Sequence, residues 1–451
     1  MRLLTRCLAL VTALAFAAQP VMAQSILRDA ETEAVLQEMS APLVDAAGLE
    51  PGNVDIVLVN DRSINAFVAG GQVVYLHSGL IDAADSANEV QGVIAHELGH
   101  ITGGHIIRSA DSYRAATNIT ILSLLLGVAA MAAGAGDAGM AALMAGQQAA
   151  LGKFLSFSRA QESSADAAGA EYLSKAGISG RGSLEFFGKL LNQEFRYGRS
   201  QADEAQFYRT HPLSGDRITR LREVYEIDPA WDTPSDNGLE TRFARIKAKL
   251  YGYLAEPAMV LRAYPSTRQD VPARYARAYA YHRDAQVGRA LAEVEGLLAS
   301  DPDDPYFLEL KGQVLLESGR AEQAIPALRR ATELTGNHPL IATLFGHALI
   351  ATEDQTNYAE AEKVLRAAVA RDRWMPFAWY QLGVVYAARG DLPRARLATA
   401  EQQAMQRQWI LALGSAQVAE AGLPDGTADW LRAQDIRMQA QAELEAERER
   451  R

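Results

Sequence analysis

The chain has 451 residues, of which 49% are hydrophobic and 22% charged, and its formal net charge is −11. That length holds two or three domains with real cores, and the composition excludes disordered and collagen-like chains. An acidic chain with no Lys/Arg-rich cluster is a poor nucleic-acid binder, so no nucleic acid is expected among its partners.

Residues 1–23 read as a cleaved signal peptide. Arg2 and Arg6 form a positive start, "CLALVTALAFAA" is an apolar run too short for a membrane anchor, and "VMA" before Gln24 is a small-residue cleavage site. Loss of the two arginines takes the charge from −11 to −13. Cys7 is the single cysteine and leaves with the signal, which excludes disulfides, thiolate metal sites and a cysteine nucleophile in the mature chain.

Residues 25–50 read as an amphipathic helix leading into a core. "DIVLVND" (55–61) and "SINAFVAGGQVVYLHSGLI" (63–81) read as short strands, with a hairpin turn at Gly70-Gly71. The strand "GQVVYL" is expected to offer an edge to an extended substrate. Ser86 with Glu89 three residues on is a capping box, and it opens a helix expected to run through His105. Residues 115–152 carry no Lys or Arg and one acid, Asp137. Helices are then expected over 158–177, ending at Gly177, and over 181–196, and a turn followed by a basic helix over 208–225.

The remainder repeats. Ala278, Gly312, Gly346 and Gly383 are spaced 34, 34 and 37, and Ala290, Ala324, Ala361 and Ala395 are spaced 34, 37 and 34. A period of 34 with small residues at two fixed places is the tetratricopeptide pattern, with a three-residue insertion near "EDQTN". The small residues mark where two antiparallel helices cross, and "WYQLGVVY" (379–386) supplies the Trp, Leu, Gly and Tyr of the pattern. Four units suffice to bury one another's apolar faces.

The stretch "VIAHELGHITGGH" (93–105) carries the chemistry. On a helix each residue turns about 100°, so His96 and His100 lie about 40° apart on one face and can share one zinc ion. Glu97 then sits where it can take a proton from a bound water. His105, about 140° further round, reads as a surface or second-layer histidine. A third ligand must be His, Asp or Glu. "ESSAD" offers Glu162 and Asp166, four apart on one face, one to ligate and the other to orient a ligating histidine. Spacing does not say which is which. Ala165, Ala167, Ala168 and Gly169 around them are small enough for a close helix approach.

Together, "HELGH", "SRAQESSAD" and "THPLSGDRI" resemble the zinc metallopeptidases related to HtpX and the CAAX prenyl proteases. With a signal peptide and tetratricopeptide repeats, the chain is most similar to the periplasmic beta-barrel assembly-enhancing protease group of that family. The resemblance implies zinc, one ion per subunit, on His96, His100 and Glu162, with Glu97 catalytic and Asp166 behind the ligands. It implies that His211, before Pro212, can occupy the open zinc position and hold the enzyme latent. It also implies that Arg217 faces the substrate or the developing oxyanion. The implied fold is an α+β zincin-like metallopeptidase domain, mostly helical with a small sheet, over 24–250. An all-α tetratricopeptide solenoid follows over 251–425, then a charged helix or tail over 426–451.

Integral members of the family cross the membrane where residues 115–152 fall. A single crossing here would separate Glu162 from His96 and His100. Asp137 splits the stretch into pieces of roughly 18 and 15 residues, short of the ~20 a span needs. A soluble or membrane-grazing lid beside the active site is therefore expected. The expected activity is periplasmic hydrolysis of peptide bonds in unfolded or misassembled proteins, with the repeats engaging the outer-membrane barrel-assembly complex or its clients. The alternative is a chaperone or scaffold with a mostly latent metal site.

Overall fold

The computed structural model describes residues 26–50, 52–105, 117, 119–125, 136–197, 211 and 214–450. The expected signal segment with Cys7, Pro212 and residues 126–135 of the apolar stretch lie outside the described residues. The chain divides into two compact units: one holds Gln37–Ser235 with the residues up to Leu27, the other Arg28–Leu36 and Asp236–Arg451.

In the first unit a four-stranded sheet is built from β1 (Ile26–Leu27), β2 (Asp55–Val59), β3 (Ala66–Ala69) and β4 (Val73–His77) in the order β1-β2-β4-β3. β3 and β4 form the expected hairpin, and Gly70 (φ 64°) and Gly71 (φ 106°) take the left-handed conformations such a turn demands. β4 also pairs in parallel with β2, from Asp55↔Val73 to Val59↔His77. The strand "GQVVYL" is therefore internal and offers no edge. The edges, among the described residues, are β1 and β3. A hairpin partner is written in adjacent sequence, whereas the parallel β2–β4 pairing is long-range and leaves no local mark. The strand expected through Ile81 stops at His77, and Ser78–Ala83 is a helix, α2, with Leu80 and Ile81 buried. The helix read over 25–50 is α1 (Ala30–Ala46).

α3 (Ala87–Thr102) starts as expected: the Ser86 hydroxyl accepts from the Glu89 amide at 3.2 Å. It ends at Thr102, three residues before His105, because Gly103 and Gly104 (φ 61°) turn the chain out of the helix. α4 (Gly136–Lys175) runs 40 residues, and Gly177 (φ 68°) follows its end. Gly99 and Gly169 let α3 and α4 touch backbone to backbone. A Cβ on Gly99 would lie 2.7 Å from the Ala165 carbonyl, and one on Gly169 3.1 Å from the Ala95 carbon. Of the small residues expected at this crossing, Ala165 and Gly169 make it, and Ala167 is exposed. α5 (Arg181–Tyr197) crosses α3 at Gly92, where a Cβ would sit 2.6 Å from Ser183 Cα. α6 (Gly215–Glu226), capped by Ser214, completes the layer. No helix among the described residues is long and apolar enough to cross a membrane.

The second unit is all helical. α7 (Asn237–Leu254) and α8 (Pro257–Ala263) precede pairs that repeat: α9 (Val271–Arg283) with α10 (Val287–Ser300), α11 (Pro305–Glu317) with α12 (Ala321–Leu334), α13 (Pro339–Ala351) with α14 (Tyr358–Arg371), α15 (Pro376–Ala388) with α16 (Leu392–Met405). The three-residue insertion is a short 3-10 turn, Gln355–Asn357. Ala278, Ala290, Ala324 and Ala361 are fully buried. A Cβ on Gly346 would lie 2.6 Å from Leu365 Cγ, and Gly312 is likewise closed by Leu328. Small residues stand at these places because the paired helices leave no room for larger ones. Gly383 is less constrained, its nearest neighbour 3.6 Å from an added Cβ. α17 (Trp409–Gly422) and α18 (Ala428–Glu449) close the described chain, and α18 is a packed helix with Ala433, Ile436 and Ala440 buried. Besides Arg28–Leu36, the second unit runs from Asp236 and so includes α7. The reason is that α7 packs on α9 through Gly252, where a Cβ would meet the Ala276 carbonyl at 2.6 Å.

Candidate metal centre

α3 carries His96 and His100 on one face, and their Nε2 atoms lie 3.1 Å apart. α4 brings Glu162 across the glycine crossing. Its Oε2 lies 3.4 Å from His96 Nε2 and its Oε1 3.4 Å from His100 Nε2. His211 closes the group, with Nδ1 3.2 Å from His96 Nε2 and 3.2 Å from Glu162 Oε1. One donor atom from each of the four lies within 4.8 Å of all the others.

A tetrahedral zinc ion with bonds of about 2.0–2.1 Å holds its ligands about 3.3–3.4 Å apart. Five separations here, taken over both Glu162 oxygens, are 3.1–3.4 Å, near those edges, and the four donors all lie within 4.8 Å of one another. Imidazole nitrogens aimed at one point this closely need a cation or a shared proton between them. Three imidazoles and one carboxylate, with no sulfur, are a donor set that zinc accepts. The residues fit the metal.

Behind the donors stands a second layer. His96 Nδ1 lies 3.0 Å from Asp166 Oδ1. Arg217 grips that carboxylate with two bonds, Nε to Oδ2 and Nη2 to Oδ1, both 2.7 Å, while its Nη1 reaches Glu162 Oε2 at 3.0 Å. Of the two acids that spacing left open, Glu162 lies in the cluster and Asp166 behind His96. Arg217, expected to face substrate, instead points all three nitrogens at these acids. Two buried carboxylates side by side draw a guanidinium in. His105 sits behind His100, Nδ1 to Nδ1 at 2.9 Å, and is buried. The glycine turn after α3 brings it there, and a Cβ on Gly103 would overlap its ring. It is a second-layer residue, not a surface one.

Glu97 is fully buried and neither carboxylate oxygen has a hydrogen-bond partner; His211 Nε2 is 3.4 Å from Oε1. Burial therefore raises its pKa above the usual carboxylate range. Burial disfavours a charged His96, but hydrogen bonds and charge from Asp166 and Glu162 outweigh it and lift the imidazole to about 10. Burial, then His96 and His211, push His100 down to about 2. Burial opposes the Glu162 carboxylate, yet His211 and His96 hold it well below the ordinary range.

Sequence reading missed one participant. The Ala66 carbonyl on β3 lies 3.2 Å from His211 Nε2. A main-chain carbonyl leaves no signal in residue type.

Residues 27–225 match the model of peptidase family M48. Residues 283–368 match that of "Anaphase-promoting complex, cyclosome, subunit 3", and 351–406 that of a tetratricopeptide repeat. A Vibrio cholerae protein called "Putative beta-barrel assembly-enhancing protease" is 29% identical over 290 residues, which cover 63% of this chain but only 59% of that relative. "Beta-barrel assembly-enhancing protease" of Escherichia coli (strain K12) is 27% identical over 77% of this chain and 70% of its own length. The Escherichia coli "Metalloprotease LoiP" is 29% identical over 40% of this chain and 65% of its own length. Residues 27–225 thus carry a peptidase domain like those of the zinc-dependent metallopeptidase family M48, and tetratricopeptide repeats follow it.

Proposed function

We propose that the protein is a periplasmic zinc metalloendopeptidase that cuts unfolded or misassembled envelope proteins, with His211 closing the site in a latent state. The observation that supports it most is the convergence of His96, His100 and Glu162 on one point beside the buried Glu97, whose oxygens accept no hydrogen bond. When bound there, zinc supplies Lewis acidity, which polarises a carbonyl and makes a water acidic near neutral pH.

The protein's own groups do the rest. Glu97 takes a proton from the attacking water as its oxygen bonds to the carbonyl carbon, then delivers it to the nitrogen as the C–N bond breaks. Its raised pKa suits a group that must both accept and return a proton. Asp166 holds His96 through Nδ1, so Nε2 keeps its lone pair for the metal. Arg217 pins Asp166 and Glu162 in place and acts as a positioning residue. His211 must move off before substrate enters.

The relatives' name supports a role in quality control of outer-membrane barrels, with the repeats recruiting clients or the assembly machinery. Exposed Ile121, Leu122, Leu124 and Leu125, with Met140 and Met144, are apolar groups suited to a client or a membrane surface. The second reading, a chaperone or scaffold, is favoured by His211 itself, since a site with four protein donors does not hydrolyse.

The test is purified protein loaded with zinc, assayed on an unfolded substrate beside Glu97→Gln. Parent activity with one zinc, and a loss of roughly 10²–10⁴-fold in a variant that keeps its zinc, are expected. A chain that stays metal-free when offered zinc ends the protease reading. Equal rescue of envelope defects by Glu97→Gln makes the scaffold role the main one.

A further inference from the structure

His100 is held at both ends of its ring. Nε2 faces Glu162 Oε1 at 3.4 Å inside the cluster, and Nδ1 faces His105 Nδ1 at 2.9 Å. The two rings stand nearly perpendicular, 78° apart, with centroids separated by 4.9 Å. The chain brings His105 there and fixes it. Gly104 (φ 61°) turns the backbone out of α3, and the His105 ring packs on Gly103, where a Cβ would lie 2.4 Å from Nε2. Gln161, the residue before Glu162 on α4, donates from its Nε2 to the His105 carbonyl at 3.1 Å. His105 itself is 5% exposed.

A metal-bound histidine usually gives its outer N–H to a carboxylate, a backbone carbonyl or a water. His96 follows that pattern, with Asp166 Oδ1 3.0 Å from its Nδ1. His100 departs from it, because its outer nitrogen meets a second imidazole. Two ring nitrogens at 2.9 Å share one hydrogen, so one donates and the other is bare. When the hydrogen belongs to His100, the Nε2 lone pair of that neutral ring is free for a cation. When it belongs to His105, the His100 hydrogen sits on Nε2 and blocks ligation. We propose that His105 is a positioning residue that keeps its own hydrogen on Nε2, accepts from His100 Nδ1 and thereby makes His100 a ligand. The inference rests on the reading of the cluster as a metal centre. The charge of the pocket explains why a neutral ring stands here. Glu97, Glu162 and Asp166 are already buried beside the Arg217 guanidinium. Another carboxylate behind His100 would be one more buried charge to offset. An imidazole supplies the acceptor and adds none.

The test measures zinc affinity of the full chain by chelator competition, beside the visible spectrum of the cobalt-loaded protein. His105→Phe keeps a ring and removes the acceptor. His105→Asn removes the ring and keeps an acceptor, because the amide oxygen takes the place of Nδ1. His105→Phe is expected to lower zinc affinity about 10–100-fold and to change the cobalt spectrum, and His105→Asn to recover most of that loss. A ring that only fills space gives the opposite order, which overturns the proposal, as does an equal loss in both variants. A parent that takes up no zinc overturns the metal-centre reading and this inference with it. A parent that binds zinc no better than His105→Phe overturns this inference alone. If either variant does not melt cooperatively, the zinc-loaded parent decides through the nitrogen chemical shifts of its histidine rings. His105 is expected to carry its hydrogen on Nε2 with Nδ1 bare, and a hydrogen on Nδ1 overturns the proposal.

Discussion

His211 bonds through Nε2 to the main-chain oxygen of Ala66 at 3.2 Å, on edge strand β3. A carbonyl only accepts, so this bond needs a ring proton on Nε2; the Glu162 carboxylate, 3.2 Å from Nδ1, likewise only accepts, so Nδ1 is bare only when a cation stands between them. The edge strand thus selects the tautomer that closes the metal site, and it does so with the backbone group an extended substrate would use. Substrate pairing with β3 and closure by His211 are therefore mutually exclusive. His211→Ala is expected to keep zinc on three ligands and raise hydrolysis of an unfolded substrate. If the closed state holds about nine-tenths of the molecules, the gain is about tenfold. Equal or lower activity at full zinc occupancy argues against latency.

Asp166→Asn keeps the shape of the side chain but removes the charge that orients His96 and balances Arg217. Zinc affinity is expected to fall about 10–100-fold. Competition against a chelator of known affinity measures it. Unchanged affinity shows that Asp166 does not act through His96.

Arg217→Lys separates two roles. Lysine cannot make the paired bonds to Asp166. If the residue positions the acids, zinc affinity and kcat fall together. If it serves the oxyanion, kcat falls while zinc affinity holds. The geometry predicts the first result, and chelator competition beside steady-state kinetics distinguishes them.

Gly99→Ala forces a methyl against the Ala165 carbonyl, 2.7 Å away, at the crossing that carries Glu162 to the histidines. A loss of about 1–3 kcal/mol in stability is expected, with weaker zinc binding. Thermal melts with and without zinc test it. An unshifted midpoint means the helices can part without cost to the site.

Glu309 gives a pH signature away from the metal. Burial lifts its carboxyl from the ordinary 4.5 to about 8; Lys249 opposes this, and Asp29 and Glu31 add to it. Its folded pKa lies above its unfolded one, so the folded state binds the proton more tightly. The stability this gives is complete below about pH 4.5 and is lost as pH rises through about 8. The melting temperature of the parent is expected to fall more between pH 5 and pH 8.5 than that of Glu309→Gln. Parallel curves remove Glu309 from the account.

Local rules were legible wherever partners are neighbours in sequence. Ser86 announced α3, Gly70-Gly71 the hairpin, and the small residues every 34 positions the paired repeat helices. They were less so where a boundary depends on one backbone angle. Gly104 ends α3 short of His105, and the change from strand to helix at Ser78 follows from burial of Leu80 and Ile81. The ion pairs of Lys249 and Arg245 with Asp29 and Glu31 left no trace, because their halves are more than 200 residues apart.

The sequence by itself determined that His96 and His100 share a helix face with Glu97 between them, that two acids four apart follow, and that repeats come after. Helical periodicity converts such spacing directly into direction. Only the tertiary structure decided that Glu162 enters the cluster while Asp166 backs His96, that Arg217 braces both, and that β4 is internal. Those outcomes depend on how closely α3 and α4 cross at Gly99 and Gly169 and on which strands pair. Such distances between remote segments arise from packing the whole chain, and no local pattern encodes them.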